Sequence, residues 1–210
     1  MTIAPRRRRL LVIFNPIAGR RARQRLDAAL AALERLGVAI EVRETQAPGD
    51  AEAFARGARA SDFDAIAVAG GDGTMNEVVN GLADPDLPVA ILSLGTANVL
   101  AHEIGLPRDP CRLAEIVATG PARRVALGEA LFENGSPARR FVLMTGIGFD
   151  VSTSGGSSLG KKVSLKFPTR DCHNDCSSSL GSSKCSSGSG AEVGGVLKSN
   201  VAICYPSPWF

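Results

Sequence analysis

The segment Gly-Gly-Asp-Gly-Thr, from Gly70 to Thr74, contains the residue types best suited to chemistry on a phosphate group. Glycines let the backbone approach a phosphate closely and adopt positive φ angles. A helix that follows such a loop directs its free N–H groups and the positive end of its dipole at the same point. Asp72 can hold Mg²⁺ against phosphates or accept a proton from an attacking hydroxyl, and both tasks belong to phosphoryl transfer. The segment therefore predicts a polyphosphate site.

A simpler interpretation of this segment is a tight turn in which Thr74 caps a helix, because short glycine motifs recur by chance. Two other turns favour the phosphate site. Asn15-Pro16 with Gly19 follows the first apolar run, and Gly95-Thr96 follows the fourth. Three turns of similar composition, each after a candidate strand, indicate one shared site.

Strand and helix patterns alternate along the first part of the chain. Four segments predict strands: Leu10 to Phe14, Val38 to Val42, Ala65 to Ala69 and Val89 to Leu92. Helices are predicted over residues 26–36, 51–60 with Asp50 as the N-cap, 75–82 and 110–119, and one more is predicted to begin after Asn98. This alternation indicates an α/β fold, a Rossmann-like open, mostly parallel sheet flanked by helices. Such sheets bind ligands beyond the carboxyl ends of their strands, where the three turns lie.

The composition of the chain changes abruptly near Asp150. Residues 1–150 hold 18 Arg, no Lys and three Ser, whereas residues 151–210 hold one Arg, five Lys and 15 Ser. Such Ser-rich composition is typical of flexible linkers, and within it only residues 193–204 could supply a strand. We therefore expect residues 151–210 to be a largely disordered tail or an aberrant product of the gene.

The motifs taken together resemble those of the diacylglycerol kinase catalytic domain family, which includes bacterial lipid kinases and sphingosine kinases. Besides the three turns, the matching segments are Thr45 ahead of Gly49-Asp50-Ala51, the continuation from Met75 to Gly81, Asn98, and Gly146-Ile-Gly-Phe-Asp150. The resemblance covers residues 9–150. It departs from the family at Val99, where many members carry Asp.

This resemblance implies a kinase that uses ATP and Mg²⁺ and moves the γ-phosphate of ATP to a lipid hydroxyl. It implies a nucleotide-binding domain at 9–122 and, at 123–150, the truncated start of a β-rich domain for the lipid. The arginine run ahead of them predicts a basic leader at 1–8. Because most of that second domain is missing, we expect impaired catalysis. Two alternatives stay open: a nucleotide-binding module without catalysis, and an enzyme like the NAD kinases, which share a Gly-Gly-Asp-Gly-Thr loop.

The resemblance also implies which residues line the nucleotide site: Asn15, Pro16, Gly19, Thr45, Gly70, Gly71, Asp72, Gly73, Thr74, Met75, Asn76, Glu77, Gly95 and Thr96. Asp72 matches the catalytic base of sphingosine kinases and is the one assignable metal ligand, whereas bacterial members place a base in their second domain. Glu77 has an equal alternative as an acid in the first turn of a helix, where the dipole favours it.

Charge and hydropathy limit the partners and the location of the protein. The net charge of +3 arises in the tail, because residues 1–150 balance 18 Arg with 18 acids. No apolar run approaches the roughly 20 residues of a membrane span, and too few apolar residues follow Arg6 to Arg9 for a signal peptide. We expect a cytoplasmic protein that acts peripherally at a membrane on a lipid alcohol, binds no nucleic acid and could form a homodimer.

The arginines near the amino terminus invite a second interpretation. Arg6 to Arg9, with Arg20, Arg21, Arg23 and Arg25, could contact anionic lipid headgroups or nucleic acid. The interpretation that we favour is a solvated leader followed by a solvated helix face, balanced by acids elsewhere.

Overall fold

The computed structural model describes residues 6–19, 21–95, 98–132, 136–142, 163–166 and 200–206. Thr96 and the segment from Gly146 to Asp150, both singled out in the sequence, lie outside the described residues. The chain divides into two compact units, Met1–Val125 with Asn200–Phe210, and Ala126–Ser199.

Strands and helices alternate along the first unit, as its sequence predicts. In chain order the elements are β1 (Arg9–Phe14), α1 (Ala22–Arg35), β2 (Ala39–Glu44), α2 (Asp50–Gly57), β3 (Ala65–Gly70), α3 (Asp72–Gly81), β4 (Val89–Ser93), α4 (Val99–Glu103), α5 (Pro110–Thr119) and β5 (Ala122–Ala126). Then follow β6 (Gly128–Phe132), β7 (Arg139–Phe141), β8 (Val163–Lys166) and β9 (Asn200–Cys204).

The first unit is built on a six-stranded sheet with the order β2-β1-β3-β4-β9-β5. β1 runs parallel to both β2 and β3, β4 runs parallel to β3, and β9 runs parallel to β4. The prediction of a mostly parallel sheet flanked by helices is confirmed. The carboxyl ends of β1, β3 and β4 meet at one edge, because Phe14 is level with Ala69, and Gly70 with Ser93.

Both faces of the central strands are buried, which explains their continuous apolar runs. Leu10, Val12 and Phe14 pack in one core with residues of α1 and α5, while the alternate residues Leu11 and Ile13 are equally buried. The helices α1 and α5 pack against each other, and so do α2 and α3. The leucine spacing of α1 therefore predicts its buried face correctly, since Leu26 and Leu33 are fully buried.

The second unit contains a small antiparallel sheet with the order β7-β6-β8. At Gly128 the two strands β6 and β7 pack tightly, because a Cβ atom there would lie 2.2 Å from the ring of Phe141. The resemblance puts the start of the second domain at residue 123. In the structure β5 belongs instead to the first unit, at the edge of its sheet, where the consecutive side chains of Arg123 and Arg124 both reach solvent.

The tail contributes more structure than its composition suggests. Residues 200–204 form β9, which lies between β4 and β5 in the large sheet, and residues 163–166 form β8. Val201 and Ile203 are buried there, so an alternating apolar pattern supplies a strand after a polar stretch. β9 lies within residues 193–204, the part of the tail in which the sequence allowed a strand, whereas the expectation of disorder is wrong for β8. Apart from residues 205 and 206, the rest of the tail lies outside the described residues.

Asp50 does not have the capping role that its position suggested. Gly49, with a φ of 93°, is the N-cap of α2, and Asp50 is the first helical residue. The Asp50 carboxylate accepts hydrogen bonds from the backbone N–H groups of Gln46 and Ala47, which precede the helix. These bonds lower the pKa of Asp50, so the carboxylate fixes the loop after β2.

The interpretation of Arg6 to Arg9 as a solvated leader is wrong for Arg7, which is 5% exposed. Its guanidinium donates to the carbonyl oxygens of Val117 and Gly120, each at 2.9 Å. Those carbonyls belong to the carboxyl end of α5, where helices leave acceptors without intrahelical partners and where the dipole favours a cation. Arg7 thus ties the start of β1 to the end of α5.

Asp64, which precedes β3, fixes the start of β1. Its Oδ2 accepts from the N–H groups of Arg8 and Arg9, at 2.6 and 3.0 Å, and its Oδ1 pairs with the Arg9 guanidinium at 3.1 Å. Partial burial raises the pKa of Asp64, but these hydrogen bonds together lower it further, so the net pKa lies below its ordinary value.

We expect Asp64→Asn to reduce the free energy of unfolding by about 1 kcal/mol or less at pH 7, since the site is partly exposed. A lowered native pKa stabilises the fold above the unfolded pKa of about 3.9 and is lost as pH falls through the native value. Urea unfolding at pH 7 and at pH 3 checks this. The difference in the free energy of unfolding between Asp64→Asn and the wild type should be smaller at pH 3 than at pH 7. Asp62→Asn, at an exposed neighbouring position, should show no such difference at either pH.

Among the described residues, no helix combines the length and the apolar character needed to cross a membrane.

Candidate functional site

Three backbone hydrogen bonds bring the predicted turns together at the carboxyl edge of the sheet. The N–H of Asn15 donates to the carbonyl of Ala69 at 2.9 Å, and the N–H of Leu94 donates to that of Gly70 at 3.2 Å. On the other side of β1, the N–H of Thr45 donates to Phe14 at 2.8 Å. The residues that follow β1, β2, β3 and β4 therefore share one edge, as the motif spacing predicts.

The Gly-Gly-Asp-Gly-Thr segment forms almost no loop. β3 ends at Gly70, Gly71 is the N-cap, and α3 already begins at Asp72, three residues earlier than the sequence suggested. The expected positive φ angles are absent at Gly70, Gly71 and Gly73. The alternative of a turn with Thr74 as the cap is also wrong, since Thr74 lies inside the helix. No side chain caps the amino terminus of α3 within the described part of the chain.

Close packing, rather than backbone conformation, explains why glycine occupies positions 70 and 95. A Cβ atom at Gly70 would lie 2.6 Å from Oγ1 of Thr74, and one at Gly95 would lie 2.8 Å from Cα of Gly71. Oγ1 of Thr74 in turn accepts a hydrogen bond from Nδ2 of Asn15 at 3.1 Å. The glycines thus let the loop after β1, the start of α3 and the loop after β4 approach one another.

A cavity of about 410 Å³ opens beside the amino terminus of α3. Its volume is within the range of small-molecule sites. Predicted site residues line three of its sides: Asn15 and Pro16 after β1, Thr45 after β2, and Gly73, Thr74 and Glu77 on α3. The structure therefore brings six of the fourteen predicted residues into one concave site.

Glu77 belongs to this cavity and not to the first turn of a helix. The alternative interpretation placed Glu77 in the first turn of a helix. Because α3 begins at Asp72, Glu77 instead lies beyond the first turn. Its Oε2 accepts a hydrogen bond from the N–H of Gly49 at 3.1 Å. Glu77 therefore joins the middle of α3 to the turn before α2.

Asp72 directly precedes Gly73, which lines this cavity, but its own carboxylate contacts α4. Its Oδ2 accepts from the N–H of Val99 at 3.0 Å, and its Oδ1 accepts from the N–H of Leu100 at 3.4 Å. These two groups are the first free donors of α4, so the carboxylate satisfies a helix terminus. Each oxygen keeps a second lone pair for another donor or a cation.

The remaining predicted residues are placed at separate positions. Met75 is 3% exposed, and its side chain packs in the interior and does not line the 410 Å³ cavity. Gly19 lines a shallow surface depression at the start of α1, and Gly95 lines a second cavity described below. The carbonyl of Asn76 accepts a hydrogen bond from Asn80 on α3, and Thr96 is outside the described residues.

The residues present fit a magnesium ion only as a companion of phosphates. No group of three acidic, His or Cys side chains lies close enough to hold a metal within the described ranges. Mg²⁺ commonly takes one or two carboxylates and completes its shell with substrate phosphates and waters. Asp72, with lone pairs left, is suited to be such a single protein ligand.

The loop after β2 contributes a wall of the cavity that the sequence motifs did not indicate. Gln46, Ala47 and Pro48 line it together with Ile17, which is 89% exposed. Only Thr45 had been selected from this loop. An exposed Ile beside a Pro-rich turn supplies apolar surface, which an aromatic base could cover.

The fold and the cavity define a doubly wound α/β domain with its ligand site at the carboxyl edge of a parallel sheet. Residues 9–130 match the model of the diacylglycerol kinase catalytic domain, and the chain belongs to this family. It is 38% identical over 126 residues to a diacylglycerol kinase of Bacillus subtilis, covering 58% of this chain and 42% of that protein. For a diacylglycerol kinase of Staphylococcus carnosus, the identity is 34%, with 59% and 41% covered.

A crystal structure of a diacylglycerol kinase from Bacillus anthracis superposes with a TM-score of 0.53 at 29% identity. That match covers 60% of this chain and 45% of the other. The chain thus spans about two fifths of the length of the curated relatives that it matches. The expected family is confirmed, and the family is one of lipid kinases.

Proposed function

We propose that the first unit binds ATP with Mg²⁺ in the 410 Å³ cavity, and that the chain transfers the γ-phosphate to a lipid hydroxyl. The observation that carries this proposal is the amino terminus of α3, which no described side chain caps, at the wall of a cavity lined by Asn15, Thr45 and Glu77. Free N–H groups and the positive end of a helix dipole favour phosphates.

The shape of the cavity suggests how a nucleotide would be oriented. The phosphates belong next to Gly73, which is exposed in the first turn of α3. The base belongs against the apolar surface of Ile17 and Pro48, which also line the cavity. Glu44 and Glu77, also at this cavity, are acceptors for the hydroxyl or amino groups of a nucleoside.

Asp72 has two roles in this proposal. Through its hydrogen bonds to Val99 and Leu100 it positions α4, and its free lone pairs serve Mg²⁺ or the proton of the acceptor hydroxyl. The metal would supply charge neutralisation on the phosphates. The acceptor is a lipid alcohol, diacylglycerol or a sphingoid base, met at a membrane surface. The homodimer stays a prediction.

The decisive experiment measures Mg-ATP binding by calorimetry and transfer of labelled phosphate to lipid alcohols in mixed micelles. Binding together with labelled lipid supports the full proposal. Absence of binding contradicts it. A nucleotide-binding module without catalysis is the second candidate. Binding without any labelled lipid would favour that candidate.

We expect Asp72→Asn to lower phosphate transfer at least a hundredfold while Mg-ATP binding weakens no more than about tenfold. The amide keeps one oxygen acceptor for the amino terminus of α4 but loses the charge that a proton or Mg²⁺ requires. Initial rates and calorimetry on the same preparations measure the two effects. Asp62→Asn, an exposed acid in the loop before β3, should change neither, and unchanged transfer in Asp72→Asn would exclude a chemical role.

A further inference from the structure

A second cavity, of about 330 Å³, shares no lining residue with the proposed nucleotide site. Its lining residues come from α1, the end of β4, α4 and the turn before α5. Three of them carry basic side chains, Arg25, His102 and Arg108, and no acidic residue lines the cavity. Arg25 was expected only on a solvated helix face, and the proposed function does not use it.

Arg25 and Arg108 both line this cavity, and no acidic residue lines it. The Arg25 guanidinium donates to the carbonyl oxygen of Arg108 at 3.3 Å. In the described part of the chain every ion pair uses other arginines, namely Arg9, Arg23, Arg43, Arg56 and Arg124. Arg23, two residues before Arg25, pairs with Glu44 in this way at 2.8 Å. Two cations that line one cavity, with no acidic residue in its lining, favour a bound anion there.

His102 and Ser93 add hydrogen-bonding groups beside the two arginines. An Nη atom of Arg108 lies 3.2 Å from Nε2 of His102, and because a guanidinium can only donate, His102 is the acceptor in this contact. Ser93 is 5% exposed, and its hydroxyl has no hydrogen-bond partner among the residues that the structure describes. A buried hydroxyl without a partner is costly, so this one is suited to donate to a ligand.

We propose that this cavity is a second anion site, and that it binds a phosphomonoester group through Arg25, Arg108 and Ser93. The planar guanidinium forks match two oxygens of a phosphate each, and the dianion balances both cations. Inorganic phosphate and a phosphorylated lipid share this group. The proposal does not rest on the proposed function, since the lining of the cavity carries it alone.

The test titrates the full chain by calorimetry with two probes, inorganic phosphate and a short-chain phosphatidic acid below its micellar concentration. We expect Arg25→Ala and Arg108→Ala each to weaken phosphate binding about tenfold, because each removes one charge-assisted contact. Arg112→Ala is the matched control. This exposed arginine on α5 lies outside the cavity, and its loss should change the affinity less than twofold.

Two results would overturn the anion site: no phosphate binding to the wild-type chain at tens of millimolar, or equal binding in the wild type and both arginine variants. Phosphate binding lost in Gly73→Val but kept in Arg25→Ala would place the ion in the nucleotide cavity and also overturn it. Equal affinity for both probes supports recognition of the phosphate alone, and tighter binding of the lipid supports a lipid phosphate. Failure of Mg-ATP binding contradicts the proposed function but leaves these outcomes unchanged.

Discussion

Gly73→Val should weaken the affinity for Mg-ATP at least a hundredfold, and the variant should remain folded. Gly73 is exposed in the first turn of α3, and no atom lies within 4 Å of the place that its Cβ would occupy. The new side chain therefore causes no clash within the protein. It fills space at the wall of the 410 Å³ cavity where the proposal places the phosphates. Calorimetric titration, with a thermal melt on each sample, measures both properties.

Gly57→Val is the matched control for this experiment. Gly57 is the last residue of α2, is exposed, and also has no atom within 4 Å of its Cβ position, but it lies outside the cavity. The same substitution therefore carries a similar cost in helix propensity and should leave nucleotide affinity unchanged. Equal affinity for Mg-ATP in Gly73→Val and the wild type would show that the nucleotide does not bind at this end of α3.

Gly81→Ala should reduce the free energy of unfolding by about 3 kcal/mol. We expect no other added methyl group in the first unit to cost more. A Cβ atom at Gly81 would lie 2.1 Å from the carbonyl oxygen of Glu52 and 2.9 Å from its Cα. Both atoms belong to the backbone of α2, so no side-chain rotation relieves the overlap. The helices α2 and α3 would have to separate at the point where they pack.

Urea unfolding at equilibrium measures this loss, and Gly57→Ala provides the comparison. At Gly57 the added methyl group meets open space, and alanine favours the helix, so we expect unchanged or slightly higher stability. A fall of less than about 1 kcal/mol in Gly81→Ala would mean that α2 and α3 can separate cheaply. The close approach of α2 to α3 would then not be the reason why this position requires glycine.

Local pattern predicts the frame of the first unit well. Buried strands such as Leu10 to Phe14 and Ala65 to Ala69 have continuous apolar runs, and the leucine spacing of α1 marks its buried face. Their order along the chain suffices for a parallel sheet, and a parallel sheet fixes the edge at which the turns meet. The predictions that depend on this reasoning are confirmed.

Contacts between residues distant in sequence explain where the predictions were wrong. Asp72 caps α4, and Arg7 caps α5, because tertiary structure brings a carboxylate and a guanidinium to helix ends that the sequence does not connect to them. α3 starts earlier than expected, and Gly70 packs against Thr74 in its first turns. The turn-like composition of this segment gives no sign of that helix. A strand at Asn200–Cys204 could be suspected from its pattern, but not its place between β4 and β5.

The position of β9 has a consequence for synthesis of the protein. Val89 of β4 pairs with Ile203, so the large sheet lacks an inner strand until the ribosome has released residues 200–204. The second unit is translated in the interval. During that time the apolar edge of β4 is open to strands of other nascent chains, a common route to aggregation. Expression yield should therefore depend on chaperones that shield this edge during translation.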